Sequence, residues 1–141
     1  LVIHCPELKE GEVIPFSAVE RVRHLADRAE FLLFHTGWGR YWGTERYFGG
    51  YPCIDQGIVD YLLQSGKKGV GLDTIGVDPI ADAYLSIHRR LFQDHDLVVM
   101  ENLANLDQLG DGLFTLFALP LRYQDADGSP IRAVAVLDGE E

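Results

Sequence analysis

Basic side chains are scarce in this sequence: 12 Lys and Arg stand against 22 Asp and Glu, a formal charge of -10. Phosphate contacts need clustered Lys and Arg, so the imbalance argues against a nucleic-acid partner. It argues equally against an anionic membrane surface. Long apolar runs are missing as well, and none approaches the ~20 residues of a membrane-spanning helix. Only two cysteines are present, Cys5 and Cys53. They allow at most one disulfide, too few for a disulfide scaffold, and a reducing cytoplasm is the simpler expectation. The opening residues lack the basic n-region and long h-region of a signal peptide. Residue one is Leu rather than Met and begins the strand-like run Leu1-Val2-Ile3. This opening reads as the remainder of a longer, N-terminally truncated protein.

What is present suits one globular domain over residues 1–141. Hydrophobic residues make up 47% and charged residues 24%, close to globular averages, and the chain is long enough to bury a core. No repeat, low-complexity stretch or linker interrupts it.

Short apolar runs predict strands over 1–5, 30–36, 69–73 and 97–100, the last ending at Glu101. Longer strands are expected over 113–121 and 131–137, joined by the turn-rich Asp125-Ala126-Asp127-Gly128-Ser129-Pro130. Ser17-Ala18-Val19-Glu20 has the form of a capping box for a helix ending near Arg28. Asp55 suits the cap of a second helix over 56–65, stopped by Gly66, and a third is expected over 81–93. The pattern is mixed α/β with an antiparallel edge. Between the early elements, residues 37–52 hold five glycines and the aromatics Trp38, Tyr41, Trp42, Tyr47, Phe48 and Tyr51. A loop this long inside a compact domain is usually functional. It reads either as the wall of an aryl-binding pocket, with Trp38 the leading candidate, or as a subunit interface. Gly69-Val70-Gly71 lacks the third glycine and the helix start of a dinucleotide loop.

Five segments carry more information together than apart. They are Thr36-Gly37-Trp38, Gly71-Leu72-Asp73-Thr74 through Val77-Asp78-Pro79, Ile87-His88-Arg89, Glu101-Asn102-Leu103-Ala104-Asn105-Leu106, and Gly128-Ser129-Pro130 through Ala135. In this order they resemble the cyclase family of metal-dependent hydrolases, which includes bacterial kynurenine formamidase of tryptophan catabolism. The resemblance covers about residues 30–137. It implies a swivelling β/β/α fold with a mixed sheet, and a binuclear zinc or manganese site. The family's N-terminal His-x-Gly-Thr-His-x-Asp-x-Pro-x-His motif supplies most ligands and the general acid/base, and it is absent from these 141 residues. His4, in Ile-His-Cys-Pro, does not fit it. The family's late His and late Glu ligands map onto His88 and Glu101, thirteen positions apart. Where the family often has Arg before Thr-Gly-Trp this chain has His35, and where it often has Ser this chain has Gly76.

Metal: His88 and Glu101, and substrate binding: Trp38 and His35, are therefore the expected site residues, with no catalytic acid/base inside the chain. His88 and Glu101 should converge within ~7 Å on one depression, with Trp38 or His35 on its wall. Asp73 and Asp78 read as structural, Asn102 and Asn105 as satisfying backbone groups of a tight turn, and His24 and His95 as surface residues. The implied chemistry is metal-assisted hydrolysis of an amide or cyclic C–N or C–O bond in a small, aryl substrate, N-formylkynurenine being the family's example. The partners expected are a small molecule and a second copy of the chain, as a homodimer. The competing expectation is a non-catalytic small-molecule-binding or oligomer-forming domain that kept the fold.

Overall fold

The computed structural model describes residues 1–93 and 96–137. Its centre is a four-stranded, wholly parallel sheet in the order β1-β3-β5-β6, with β1 at Val2–His4, β3 at Phe31–His35, β5 at Gly69–Leu72 and β6 at Val98–Met100. Strands covered on both faces read as unbroken apolar runs rather than alternating ones. Leu32, Leu33 and Phe34 of β3 are accordingly all buried. The register places Phe34 beside Ile3 on one side and Leu72 on the other.

Two glycines let β5 into this position. A Cβ on Gly69 would stand 2.5 Å from the Val98 carbonyl oxygen, and one on Gly71 would meet the Leu103 and Leu33 side chains at 2.7 Å. Their role is close packing inside a strand, not cradling a phosphate.

One face of the sheet carries the main core. Here α3 (Gln56–Gln64) packs Ile58, Val59 and Leu62 against the strands, together with Leu91 of α4 (Ser86–Phe92). As expected, Asp55 caps α3, accepting from the Ile58 backbone N–H at 2.8 Å. Gly66 follows with a φ of +66°, the left-handed conformation glycine tolerates best. The second face is covered by β7 (Thr115–Pro120) and β8 (Ile131–Val136), which pair antiparallel through six residues each. Leu116, Ala118, Ile131 and Ala133 pack there on Val2, Leu33, Met100, Leu103 and Leu106. This hairpin is a sheet of its own, not an antiparallel edge of the parallel one.

Three local expectations are corrected. The capping box at Ser17 does not form: Phe16 occupies the cap position, and the predicted helix divides into α1 (Ser17–Glu20) and α2 (Arg23–Ala26). Asp55 explains the shift, because its second carboxylate oxygen accepts the Phe16 N–H at 2.7 Å and fixes the chain one residue earlier. The helix expected from residue 81 starts only at Ser86, because Asp82 draws the Tyr84 and Ser86 N–H groups into a turn. Residues expected as plain loop at 6–15 contain β2 (Val13–Ile14), which pairs in parallel with β4 (Cys53–Ile54). Such two-residue strands carry no periodicity to read.

Candidate functional site

In open sheets of parallel strands, ligands bind in the crevice outside the carboxyl ends of the strands. At that edge β1 ends on His4 and β3 on His35, while β5 runs into Asp73 and β6 into Glu101. The chemistry-bearing side chains gather there because a strand's last residue is the first to escape the core.

His88 and Glu101 meet. His88 sits two residues into α4, half-buried, and its Nε2 lies 3.1 Å from Glu101 Oε1. Behind it stands Asp78, only 2% exposed. One Asp78 oxygen accepts the Ile87 N–H at 2.6 Å, and the other takes the His88 N–H at 3.1 Å and His88 Nδ1 at 2.5 Å. The carboxylate therefore stitches the start of α4 to the Val77-Asp78-Pro79 turn and fixes the imidazole with Nε2 facing Glu101. Asp78, expected to be structural, also orients His88 directly. The hydrogen bond to Glu101 raises the His88 pKa above its ordinary value, working against the lowering effect of burial, with Asp78 adding to the rise. His88 and Glu101 line a cleft of about 1060 Å³ with the apolar side chains of Tyr84, Leu85, Phe92 and Val99.

His35 lines a different, smaller cavity of about 610 Å³, walled by Trp42, Tyr47, Asn102, Leu103 and Leu106. Neither His35 nor Trp38 stands on the wall of the His88–Glu101 cleft, which corrects that expectation. Trp38 is corrected as a substrate contact too. Its indole is 1% exposed and its Nε1–H donates to the Tyr47 carbonyl at 3.0 Å. The loop folds as two turns of 3-10 helix, Trp38–Tyr41 and Glu45–Phe48, around a small core of Trp38, Tyr47, Tyr51 and Cys53. Trp42, 68% exposed, is the tryptophan that faces the cavity. Spacing could not tell which of two tryptophans four residues apart would turn inward.

The remaining candidates fall as follows. Asp73 is structural, accepting the Thr36 N–H at 3.0 Å and the Thr36 hydroxyl at 2.6 Å. Asn102 and Asn105 both have positive φ, so the tight turn is there. The Asn102 side chain, however, accepts the Tyr47 hydroxyl at 2.6 Å instead of serving the backbone. Burial, then the charges of Asp73 and Glu101, push that hydroxyl up to about 12. His24 is exposed, and His95 lies outside the described residues. His4, set aside on sequence, pairs with His35 across the β1–β3 register. Its position at a strand end beside another strand-end histidine is the signal that could have found it.

A family model for cyclases matches residues 2–79. The chain belongs to the cyclase family. This cyclase-family chain is 42% identical over 83 residues to kynurenine formamidases of Bacillus anthracis and Bacillus thuringiensis (strain Al Hakam), a stretch covering 59% of this chain and 39% of theirs. It thus spans about two fifths of the length of the curated relatives it matches. Among solved structures, isatin hydrolase A from Labrenzia aggregata, bound to benzyl benzoate, superposes with a TM-score of 0.81 at 24% identity. The alignment covers 96% of this chain and 59% of that one. A potential metal-dependent hydrolase with cyclase activity superposes with a TM-score of 0.67 at 20% identity, covering 95% of this chain and 62% of its own. These likenesses establish the fold, with its parallel and antiparallel sheets.

A divalent metal is the group the family resemblance implies, and the donor chemistry at His88 fits it. An imidazole nitrogen and a carboxylate oxygen face one point, and a buried carboxylate holds the other ring nitrogen, the arrangement that orients metal-bound histidines. Among the described residues no group of three or more His, Cys, Asp or Glu side chains converges on such a point. The fit is that of two ligands.

Proposed function

We propose that residues 1–141 form one domain of a cyclase-family, metal-dependent hydrolase that cleaves the amide or a cyclic C–N or C–O bond of a small aryl substrate, with His88 and Glu101 as two of the metal's ligands. The observation that carries this reading is the Nε2–Oε1 approach of 3.1 Å, with Asp78 buried behind the imidazole. The relatives support the substrate class, being kynurenine formamidases by sequence and isatin hydrolases by fold. Divalent zinc or manganese in such a place lowers the pKa of water from about 15.7 to about 7 and polarises a carbonyl.

The chain's own residues do the rest. Asp78 keeps Nδ1 of His88 occupied, so only Nε2 is offered to the cleft. Glu101 supplies negative charge at the end of β6, and Tyr84, Leu85 and Phe92 keep one wall of the cleft apolar. His35 and Trp42, which line the 610 Å³ cavity, are the groups proposed to hold the aryl part. The two cysteines, buried and unbridged, suit a reducing cytoplasm.

Two ligands do not make a two-metal site, so this chain by itself is expected to turn over formanilide and N-formylkynurenine at well under about 1 s⁻¹ with added zinc or manganese, against the usual range for enzymes. Metal-dependent turnover above that rate would contradict the assignment of the remaining ligands and the acid/base to the His-rich motif absent here. The second reading is a non-catalytic small-molecule-binding or oligomer-forming domain. It is favoured by the lack of a third converging donor among the described residues and by a 610 Å³ cavity that needs no metal. Failure to bind either metal at His88, with retained binding in that cavity, would select it.

A further inference from the structure

The two strand-end histidines are wired in series. His4 Nε2 lies 3.0 Å from the carbonyl oxygen of Leu109, and His4 Nδ1 lies 3.0 Å from His35 Nδ1. A carbonyl oxygen can only accept, so His4 carries its proton on Nε2. In a neutral pair, His4 Nδ1 is then a lone pair, and His35 Nδ1 must be the N–H that donates to it. That leaves Nε2 of His35 without a proton. Among the described residues this nitrogen has no hydrogen-bond partner, and no buried side-chain polar atom is left unpaired, so it is open to solvent. The ring lines the 610 Å³ cavity. His35 thus offers that cavity an acceptor, and His4 is the positioning residue that selects it.

Asn102 is set in the opposite sense. Its side-chain oxygen is taken by the Tyr47 hydroxyl at 2.6 Å. Nδ2 carries two N–H donors besides, and the positive φ of 58° holds the residue in a conformation asparagine tolerates better than most side chains. The same cavity therefore holds an acceptor at His35 and a donor at Asn102, beside the exposed Trp42 ring and the apolar Leu103 and Leu106, with Arg40, Asp73 and Asp107 as its charged lining. A planar aromatic ring bearing an N–H and a C=O matches that set.

We propose that this cavity is an amide-reading subsite, in which His35 Nε2 accepts the N–H and Asn102 Nδ2 donates to the carbonyl of an aryl amide or lactam lying against Trp42. It deepens the aryl-substrate reading above and rests on it for the class of ligand, but it involves neither the metal nor bond cleavage.

Binding of oxindole and of N-methyloxindole to the intact chain at pH 8 tests it, since both are rigid and differ in the single N–H. Binding is followed by NMR on the His35 ring nitrogens and the Trp42 indole. Oxindole should shift both, and N-methyloxindole should bind about tenfold more weakly, the order of discrimination left by one unpaired acceptor. Asn102→Asp keeps the acceptor for Tyr47 but removes the N–H donors, and should weaken oxindole by a similar factor. His4→Phe removes the partner of Nδ1. The 15N shift of the unprotonated nitrogen, assigned to Nε2 in the unaltered chain, should then spread over both His35 nitrogens, and the preference for oxindole should fall below about threefold. Equal binding of the two compounds would overturn the acceptor role while leaving an aryl pocket. An Nε2-protonated His35 in the unaltered chain would overturn the wiring. No shift at His35 or Trp42 with either compound would overturn both the subsite and the aryl reading of this cavity.

Discussion

Asp78 accepts three N–H groups while only 2% exposed, so its carboxylate has no replacement by water if removed. Asp78→Ala is expected to cost about 3 kcal/mol, because buried donors left unpaired are penalised by 1–3 kcal/mol each and the helix start relaxes only in part. Urea unfolding measures this, and a loss below about 1 kcal/mol would mean the three contacts are not jointly formed. Asp78→Asn should recover only part of that loss, since its one amide oxygen replaces one carboxylate oxygen while its NH2 faces an N–H that the other oxygen accepted. The cysteines make a second residue-scale test. Burial pushes the Cys5 thiol up to about 11 and the Cys53 thiol up to about 12. The thiolate is the reactive form, so both should resist alkylation at pH 8 and react about a hundredfold faster once the chain is unfolded. Fast labelling of the folded chain would place one of them at the surface.

Among the elements, β5 depends most sharply on its two glycines. Gly69→Ala forces a methyl group against the Val98 backbone carbonyl, which cannot rotate away, whereas Gly71→Ala meets the ends of two flexible leucines. Overpacking costs typically 1–3 kcal/mol, so the first substitution is expected near or above the top of that range and the second near its bottom. Equal losses in thermal unfolding would contradict the reading of Gly69 as a packing contact. These elements also show how much was legible beforehand. The apolar runs of β3 and β5 announced buried strands, that of β6 announced a strand whose Val98 proves exposed, and Asp55 with Gly66 marked both ends of α3. The pairing of β2 with β4, the split of α1 from α2, and the choice of Trp38 over Trp42 as the buried indole were not legible. Each is decided by a contact distant in sequence: Cys53 beside Val13, Asp55 on Phe16, Tyr47 on Trp38. At the site, ligand types and order along the chain could be read from motifs, whereas the His4–His35 pair exists only because β1 and β3 end in register.

At the scale of the whole molecule, the described residues leave an apolar face exposed. The outer face of the β7–β8 hairpin exposes Phe117 at 47%, Leu119 at 73%, Val134 at 45% and Val136 at 49%. Contiguous exposed apolar surface of this kind marks an interaction site. Trp42 and Phe48, also exposed, add a second patch. We expect a homodimer at micromolar concentration, tightened by salt that screens the charge of -10. Light scattering that returns a monomer across the micromolar range would contradict this. The central claim concerns the metal, and anomalous diffraction from crystals of the chain soaked in millimolar zinc tests it most directly. The account predicts one peak about 2.0–2.2 Å from both His88 Nε2 and a Glu101 carboxylate oxygen, absent from crystals of His88→Ala. Zinc bound elsewhere, with His88 and Glu101 still in direct contact, would contradict it.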